Sequence, residues 1–234
     1  IDSLVNSTII NYYERFISGG QHPIFCRRPL KGGEREKEQV LLDVNEQAKK
    51  EKFLSVGCTK HSPDHRLYAT AMDRNGSEFY QITIKTLDTN ELLPTRLENA
   101  QGDMEFSADS QILFYTVLDQ NHRPTKVMRH SVGVDRNEDS VVYEELDPSF
   151  FIHLDKTESG RFITISSHDH AETTEVRLID TKKPTMQPRL IPARKKGVYY
   201  DAHDSGDQLF IRTNIGGAVD FKVIKMSLLN SDPT

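Results

Sequence analysis

Nucleophilic catalysis by serine needs a seat for the hydroxyl. The Gly-x-Ser-x-Gly elbow supplies one, because only small neighbours tolerate its strained strand-to-helix turn. None of the serines in this 234-residue chain has glycine at both −2 and +2. Ser131 has Gly133 but Arg129, and Ser55 has Gly57 but Phe53. His168-Asp169-His170, with Glu172 nearby, offers metal-type donors, and residues i and i+2 share a strand face. A structural zinc site wants four ligands, and nothing in the sequence supplies the others. Those residues also fall between two strand signals, so the expected reading is a polar hairpin loop. Gly32-Gly33 and Gly216-Gly217 lack a phosphate-cradle context and read as turns. Arg194-Lys195-Lys196 and the mixed tract Glu34-Arg35-Glu36-Lys37-Glu38 read as solvated loops. Cys26 and Cys58 stand at no metal-like spacing, and a chain of this size needs no disulfide. No catalytic, cofactor-binding or metal-binding residue is therefore assigned.

The elements behind these residues are strands. A polar turn recurs at Ser62-Pro63-Asp64, Ser107-Ala108-Asp109, Ser159-Gly160 and Ser205-Gly206, in steps of 45, 52 and 46 residues. Two apolar strands and a short third follow each turn. The first set is Leu67 to Met72, Phe79 to Ile84 across Asn75-Gly76, and Leu92-Leu93. The second is Ile112 to Leu118, Lys126 to Val132 and Val141 to Tyr143. The third is Arg161 to Ser166, Glu175 to Ile179 and Leu190-Ile191, and the last is Leu209 to Thr213 and Phe221 to Met226. Upstream, Ile9 to Ile17 and Pro23 to Cys26 flank Ser18-Gly19-Gly20-Gln21 as a hairpin, and Val40-Leu41-Leu42 is a further strand. Residues 43–50 are the one helix signal, with Asp43 as N-cap and Glu46 three residues on.

A period of about 40–50 residues with strands between turns is the mark of β-propeller blades, each a four-stranded antiparallel sheet. The fold class is all-β. Residues 1–61 form a first blade with the short helix, residues 62–106, 107–158 and 159–204 form three repeats, and residues 205–234 form an incomplete blade. A seven-bladed ring at about 45 residues per blade needs about 315 residues, so this chain holds about four and a half blades. A closed four- or five-bladed ring would also suit its length.

Composition sets limits on partners. The net charge is −5, from 35 acids against 30 bases that are mixed along the chain. That argues against a nucleic-acid footprint, which needs a basic face. There is no apolar run near 18 residues, so no membrane span is expected. Ile1 to Asn6 lack a signal-peptide pattern. With two cysteines, a reducing, cytoplasmic setting is the simpler expectation.

Several segments carry a family resemblance. Leu41-Leu42-Asp43-Val44-Asn45-Glu46-Gln47-Ala48 resembles the L-L-D-x-N-x-x-A segment of prolyl oligopeptidase-family serine peptidases. Phe53-Leu54-Ser55-Val56-Gly57, then His61-Ser62-Pro63-Asp64 and Leu113-Phe114-Tyr115-Thr116, continue it in order. Val127-Met128-Arg129-His130-Ser131-Val132-Gly133 is similar to a V-W-R-H-x-x-G tract, with Met128 in place of tryptophan. Thr173-Thr174-Glu175-Val176-Arg177-Leu178-Ile179-Asp180 resembles the oligopeptidase B branch. Tyr143-Glu144-Glu145 before it and Pro192-Ala193-Arg194-Lys195-Lys196 after it strengthen that likeness. The similarity runs from about Tyr12 to Met226.

The resemblance implies a propeller of seven blades that caps an α/β-hydrolase domain carrying Ser, Asp and His. It implies that short peptides enter, that folded proteins are refused, and that cleavage follows Arg or Lys. The partners it implies are the hydrolase domain of the same polypeptide and short peptide substrates, with no cofactor. This chain matches the early and middle propeller only and lacks the hydrolase domain, so it is expected to be inactive alone. Members often carry an acidic residue just before the aromatic of F-x-S-x-G, where it helps lock propeller to hydrolase domain. Here that position is Lys52, with Glu51 one earlier, and adjacent strand residues would point to opposite faces. Glu51 and Lys52 are therefore candidate interdomain contacts. Two other classes stay in view. A free-standing interaction propeller of the WD-repeat kind would show a Gly-His…Trp-Asp signature, and the chain has no tryptophan. A small metal-centred propeller hydrolase would need ligands repeated at equivalent blade positions, and none recur.

Overall fold

The computed structural model describes residues 10–30, 38–170, 173–191 and 193–228. Among these residues there are seventeen strands, one α-helix and one 3-10 turn. The chain forms two compact units, residues 1–55 with 74–76, and residues 56–73 with 77–234.

In the first unit, β1 (Ile10–Arg15), β2 (Ile24–Pro29) and β3 (Gln39–Asp43) form an antiparallel sheet in that order. The expected hairpin at 18–21 joins β1 to β2, with Gly19 at φ +77°, a conformation that glycine adopts at no steric cost. α1 (Val44–Ala48) follows at once. Its N-cap is Asp43, whose carboxylate accepts from the Glu46 main-chain NH at 3.2 Å. Asn45 fixes the approach to β2, accepting from His22 NH at 3.1 Å and donating to His22 O at 2.9 Å. Ile24, Cys26, Leu41 and Val44 are buried.

The second unit is a series of antiparallel sheets. β4 (Ser55–His61), β5 (Leu67–Asp73), β6 (Tyr80–Thr86), β7 (Leu92–Phe106), β8 (Ile112–Leu118), β9 (Pro124–Ser131) and β10 (Ser140–Glu144) are bonded in chain order. β11 (Phe151–Lys156), β12 (Phe162–His168), β13 (Thr174–Asp180) and β14 (Arg189–Ile191) make a four-stranded sheet. β15 (Tyr200–Ser205), β16 (Gln208–Thr213) and β17 (Lys222–Ser227) make a three-stranded one. The all-β, propeller-type reading is the observed architecture.

Three expectations change. First, the outer strand expected at Leu92-Leu93 is the start of fifteen-residue β7. Its early part pairs with β6 and its late part with β8, with a register shift between Ala100 and Met104. Asn99 at φ +60° and Gly102 at φ +121° turn the strand there. A polar-looking stretch thus carries buried Leu97, Ala100, Met104 and Phe106. Second, the strands flanking Asn75-Gly76 shift by one residue from Met72 and Phe79, with β5 ending at Asp73 and β6 beginning at Tyr80. Asp73 closes that loop by accepting from Glu78 NH at 2.8 Å.

Third, the recurrent polar turns lie inside sheets, between a first strand and a second. A boundary drawn at residue 62, 107, 159 or 205 would cut a sheet after its first strand. The turns share one hydrogen-bond plan. Ser62 Oγ accepts from Leu67 NH at 2.9 Å and donates to Asp64 at 2.5 Å. Ser107 repeats this with Ile112 NH at 3.0 Å and Asp109 at 2.6 Å. In the next turn Thr157, not Ser159, takes the serine's place, accepting from Phe162 NH at 3.3 Å. Ser159 stands where the aspartate stood and accepts from Arg161 NH at 3.0 Å.

Apolar packing falls into three clusters. One core holds Ala69, Ile82, Leu97, Phe106, Leu113 and Tyr115, a second Ile112, Phe114, Ile152, Ile163 and Ile179, and a third Phe162, Val176, Leu178, Tyr200, Leu209 and Ile211. β8 sends alternate residues into two cores, which is why Ile112 to Tyr115 reads as an unbroken apolar run. Each buried Leu, Ile, Val or Phe among them contributes roughly 1.5–3 kcal/mol by leaving water.

Candidate functional site

With alternate residues buried between sheets, the first strands still carry a row of ionisable side chains. β4 supplies Lys60, late β7 supplies Asp103 and Glu105, β11 supplies His153, Asp155 and Lys156, and β15 supplies Asp201 and His203. Glu105 is buried and takes salt bridges from Lys60 and, at 3.1 Å, from Lys156. Lys156 Nζ also donates to Phe106 O at 2.7 Å. Burial alone would lower the Lys60 ammonium, but attraction to Glu105 outweighs it and raises its pKa. Asp103 accepts from His153 Nδ1 at 2.7 Å and from Leu154 NH at 3.2 Å. That hydrogen bond raises the His153 imidazolium above its ordinary range. Cys58, on the same strand as Lys60, is pushed up to about 11 by burial, so it is no ready nucleophile.

Beside this row a cavity of about 470 Å³ opens among β11, β12, β15 and the loops at their ends. His153, Asp155, Thr164, His168, Tyr199 and Asp201 are among its lining. Burial, then repulsion from His153 and His170, lowers the His168 imidazolium. Its two walls are tied where Thr174 Oγ1 accepts from Tyr200 NH at 2.5 Å and donates to Tyr200 O at 3.0 Å.

A second constellation joins three separate sequence segments. Arg194 Nη2 donates to Glu145 at 2.5 Å, and its Nε reaches Glu175 at 3.4 Å. Glu175 also pairs with Arg177. Glu145 accepts from Ser167 Oγ at 2.5 Å and Tyr143 OH at 2.7 Å. The guanidinium of Arg194 lies 3.8 Å from the Phe150 ring centroid, and that of Arg177 lies 4.3 Å from that of Tyr143. Arg194 is therefore no solvated loop residue, as its neighbours Lys195 and Lys196 suggested; only those two are exposed. A third buried set, His130–Asp139–Tyr115, has His130 Nδ1 donating to Asp139 at 2.7 Å and Tyr115 OH donating to it at 2.9 Å. It contains the histidine and aspartate of a triad without a serine.

The remaining expectations fall as follows. Glu51 and Lys52 precede β4 in a connector and not in a strand, so the opposite-faces argument does not apply to them. Glu51 pairs with Arg74 at 2.7 Å, and Lys52 is exposed. His168 closes β12, and Asp169 closes the hairpin by accepting from Thr173 NH at 2.7 Å. Glu172, Gly32-Gly33 and residues 34–37 lie outside the described residues, while Glu38 pairs with Arg15 at 2.9 Å. Gly216 and Gly217 are turn residues at φ +73° and +78°. Among the described residues no group of three metal-type side chains forms, both cysteines are free, and no helix is long and apolar enough to cross a membrane. The first-strand pairs were missed in the sequence because their partners lie about 45–50 residues apart. The recurrence of an acid or a lysine five or fewer residues before each polar turn was the available signal.

Comparison with known proteins gives one consistent answer. Residues 5–234 match the model for the prolyl oligopeptidase N-terminal beta-propeller domain. The chain is 35% identical over 222 residues to Protease 2 of Moraxella lacunata, covering 93% of this chain and 32% of that protein. It is 36% identical over 227 residues to dipeptidyl aminopeptidase BI of Pseudoxanthomonas mexicana, covering 91% and 31%. Among solved structures, oligopeptidase B from Leishmania major superposes with a TM-score of 0.86 at 32% identity, over 94% of this chain and 31% of that one. The chain thus spans about a third of the length of the relatives it matches.

Proposed function

The chain belongs to the prolyl oligopeptidase family as its N-terminal β-propeller domain, and from that premise we propose that it is the non-catalytic, access-controlling part of a serine oligopeptidase. The observation that carries the reading is the wall of charge-paired side chains on the first strands, Lys60–Glu105–Lys156 and Asp103–His153, beside an open cavity. Such a wall keeps polar groups satisfied beside a solvent-open hollow, which suits extended peptides. The chemistry belongs to a hydrolase domain elsewhere in the same polypeptide, since this chain offers no elbow for a nucleophile. Cleavage of short peptides after Arg or Lys, in the cytoplasm, is part of the proposal; the similarity to oligopeptidase B supports its oligopeptidase part. Glu51 and Lys52 are the proposed contacts to the hydrolase domain, with Arg74 holding Glu51 in place.

A second specificity is favoured by one observation. The similarity to a dipeptidyl aminopeptidase is as high as that to Protease 2, which points to release of dipeptides from N-termini. A free-standing interaction propeller is the reading from another class. The test is a polypeptide extended through the rest of the reading frame, assayed on an internal Arg–X bond in a short peptide, on the same bond in a folded protein, and on a dipeptide-releasing substrate. Cleavage of the short internal peptide and not of the folded protein supports the access-controlling oligopeptidase. Dipeptide release alone selects the second specificity. A reading frame without a hydrolase domain leaves the interaction propeller.

A further inference from the structure

The geometry points to the cavity between β11–β12 and β15 as a binding site for a cationic peptide side chain, held by Asp155, Asp169 and Asp201. This deepens the oligopeptidase reading, on which it rests, by giving the propeller itself a contact with substrate. The cavity's volume of about 470 Å³ falls in the range of ligand-binding clefts and exceeds one arginine side chain, leaving room for adjoining peptide backbone. Three carboxylates reach it from three different segments, β11, the hairpin after β12, and β15. Among the described residues no lysine or arginine lines it. Asp155 lines the hollow, forms no ion pair within 4 Å among the described residues, and its carboxylate accepts from the Lys156 main-chain NH at 2.8 Å, with Lys60 and His153 in electrostatic reach.

The rim already holds a guanidinium. Arg212 lies with its guanidinium carbon 5.2 Å from the Tyr199 ring centroid, and its Nη2 lies 3.5 Å from Asp201. An aromatic face beside a carboxylate is the arrangement that favours arginine, and the cavity lining holds a further carboxylate, Asp155, together with Tyr199 and Tyr200. His153, His168 and His170 complete the polar lining, where their ring nitrogens accept or donate hydrogen bonds.

The test is a titration of the isotopically labelled 234-residue chain at pH 8, followed by amide resonances. The probes are Nα-acetyl-arginine amide and its neutral isostere Nα-acetyl-citrulline amide. The arginine probe is expected to shift resonances of residues 153–155, 169 and 199–201 saturably, and to bind about 10-fold more tightly than citrulline, as one charge-assisted pair provides. Asp155→Asn removes most of that preference while leaving the rest of the spectrum unchanged, and Asp201→Asn is the second variant. Equal response to both probes, arginine shifts confined to other regions, or an unaltered preference in both variants overturns the proposal. No hydrolysis is read, so an inactive extended protein would refute the oligopeptidase reading without touching this result, and the reverse holds equally.

Discussion

Arg194→Met removes the one cation shared by Glu145 and Glu175 while keeping much of the side-chain volume. Glu145 has a side chain only 4% exposed. Burial pushes its carboxyl up, and hydrogen bonds from Arg194, Ser167 and Tyr143 reverse that, holding it at about 2 against an ordinary 4.5. At 1.36 kcal/mol per unit, that difference corresponds to about 3 kcal/mol of folded-state stabilisation shared among those partners. Stripping the cation from two buried carboxylates costs a similar amount, about 3–5 kcal/mol. With a urea slope of about 1–3 kcal/mol/M, the midpoint should fall by at least about 1 M at pH 7. The sign with pH follows from the depressed value. The stabilisation is fully present above 4.5 and lost as pH falls towards 2, so parent and variant should converge in acid. The assay is urea unfolding followed by near-UV circular dichroism at pH 7 and pH 3. A variant within about 1 kcal/mol of the parent at pH 7, or a gap that does not narrow at pH 3, would refute the reasoning.

Three further outcomes are expected. Phe114→Ala empties the centre of the core that β8 shares with β11 and β12, and should cost about 3–5 kcal/mol in the same unfolding assay. Ser107→Ala leaves Ile112 NH and Asp109 without their common partner and should cost about 1–3 kcal/mol, whereas Ser107→Thr, which copies the Thr157 of the next turn, should recover most of it. The His153 pair with Asp103 raises the imidazolium, so its contribution is present below about pH 6.5 and lost as pH rises through the folded value; NMR titration should show His153 above the other exposed histidines, and Asp103→Asn should return it to the ordinary range.

The strands and their repeat were legible because the packing here is periodic. β8 and β13 bury both faces over most of their length, so Ile112 to Tyr115 and Val176 to Ile179 announce themselves as apolar runs bounded by polar turns. The phase of the repeat was harder to read. A serine turn looks like a beginning in sequence, yet the strand before it belongs to the same sheet, and only the ladder between β11 and β12 reveals this. β7 was hidden for a local reason: Asn99 and Gly102 take left-handed conformations that let a strand pass through residues of turn type. The site was the least legible part. The segments around Tyr143–Glu145, Glu175–Arg177 and Arg194 were visible as motifs, but their convergence on one network needs partners up to 51 residues apart. Lys60–Glu105 and Asp103–His153 carry no motif at all, because a charge pair across two first strands needs only complementary charge.

The central claim is that this propeller part contributes access and contacts while the bond-breaking groups lie elsewhere. The most direct measurement compares hydrolysis of one short Arg-containing fluorogenic peptide by this chain and by the polypeptide extended through the rest of its reading frame. The account predicts a silent chain and an active extended protein whose activity is abolished by a serine-directed inhibitor. Hydrolysis by the 234-residue chain alone would contradict it.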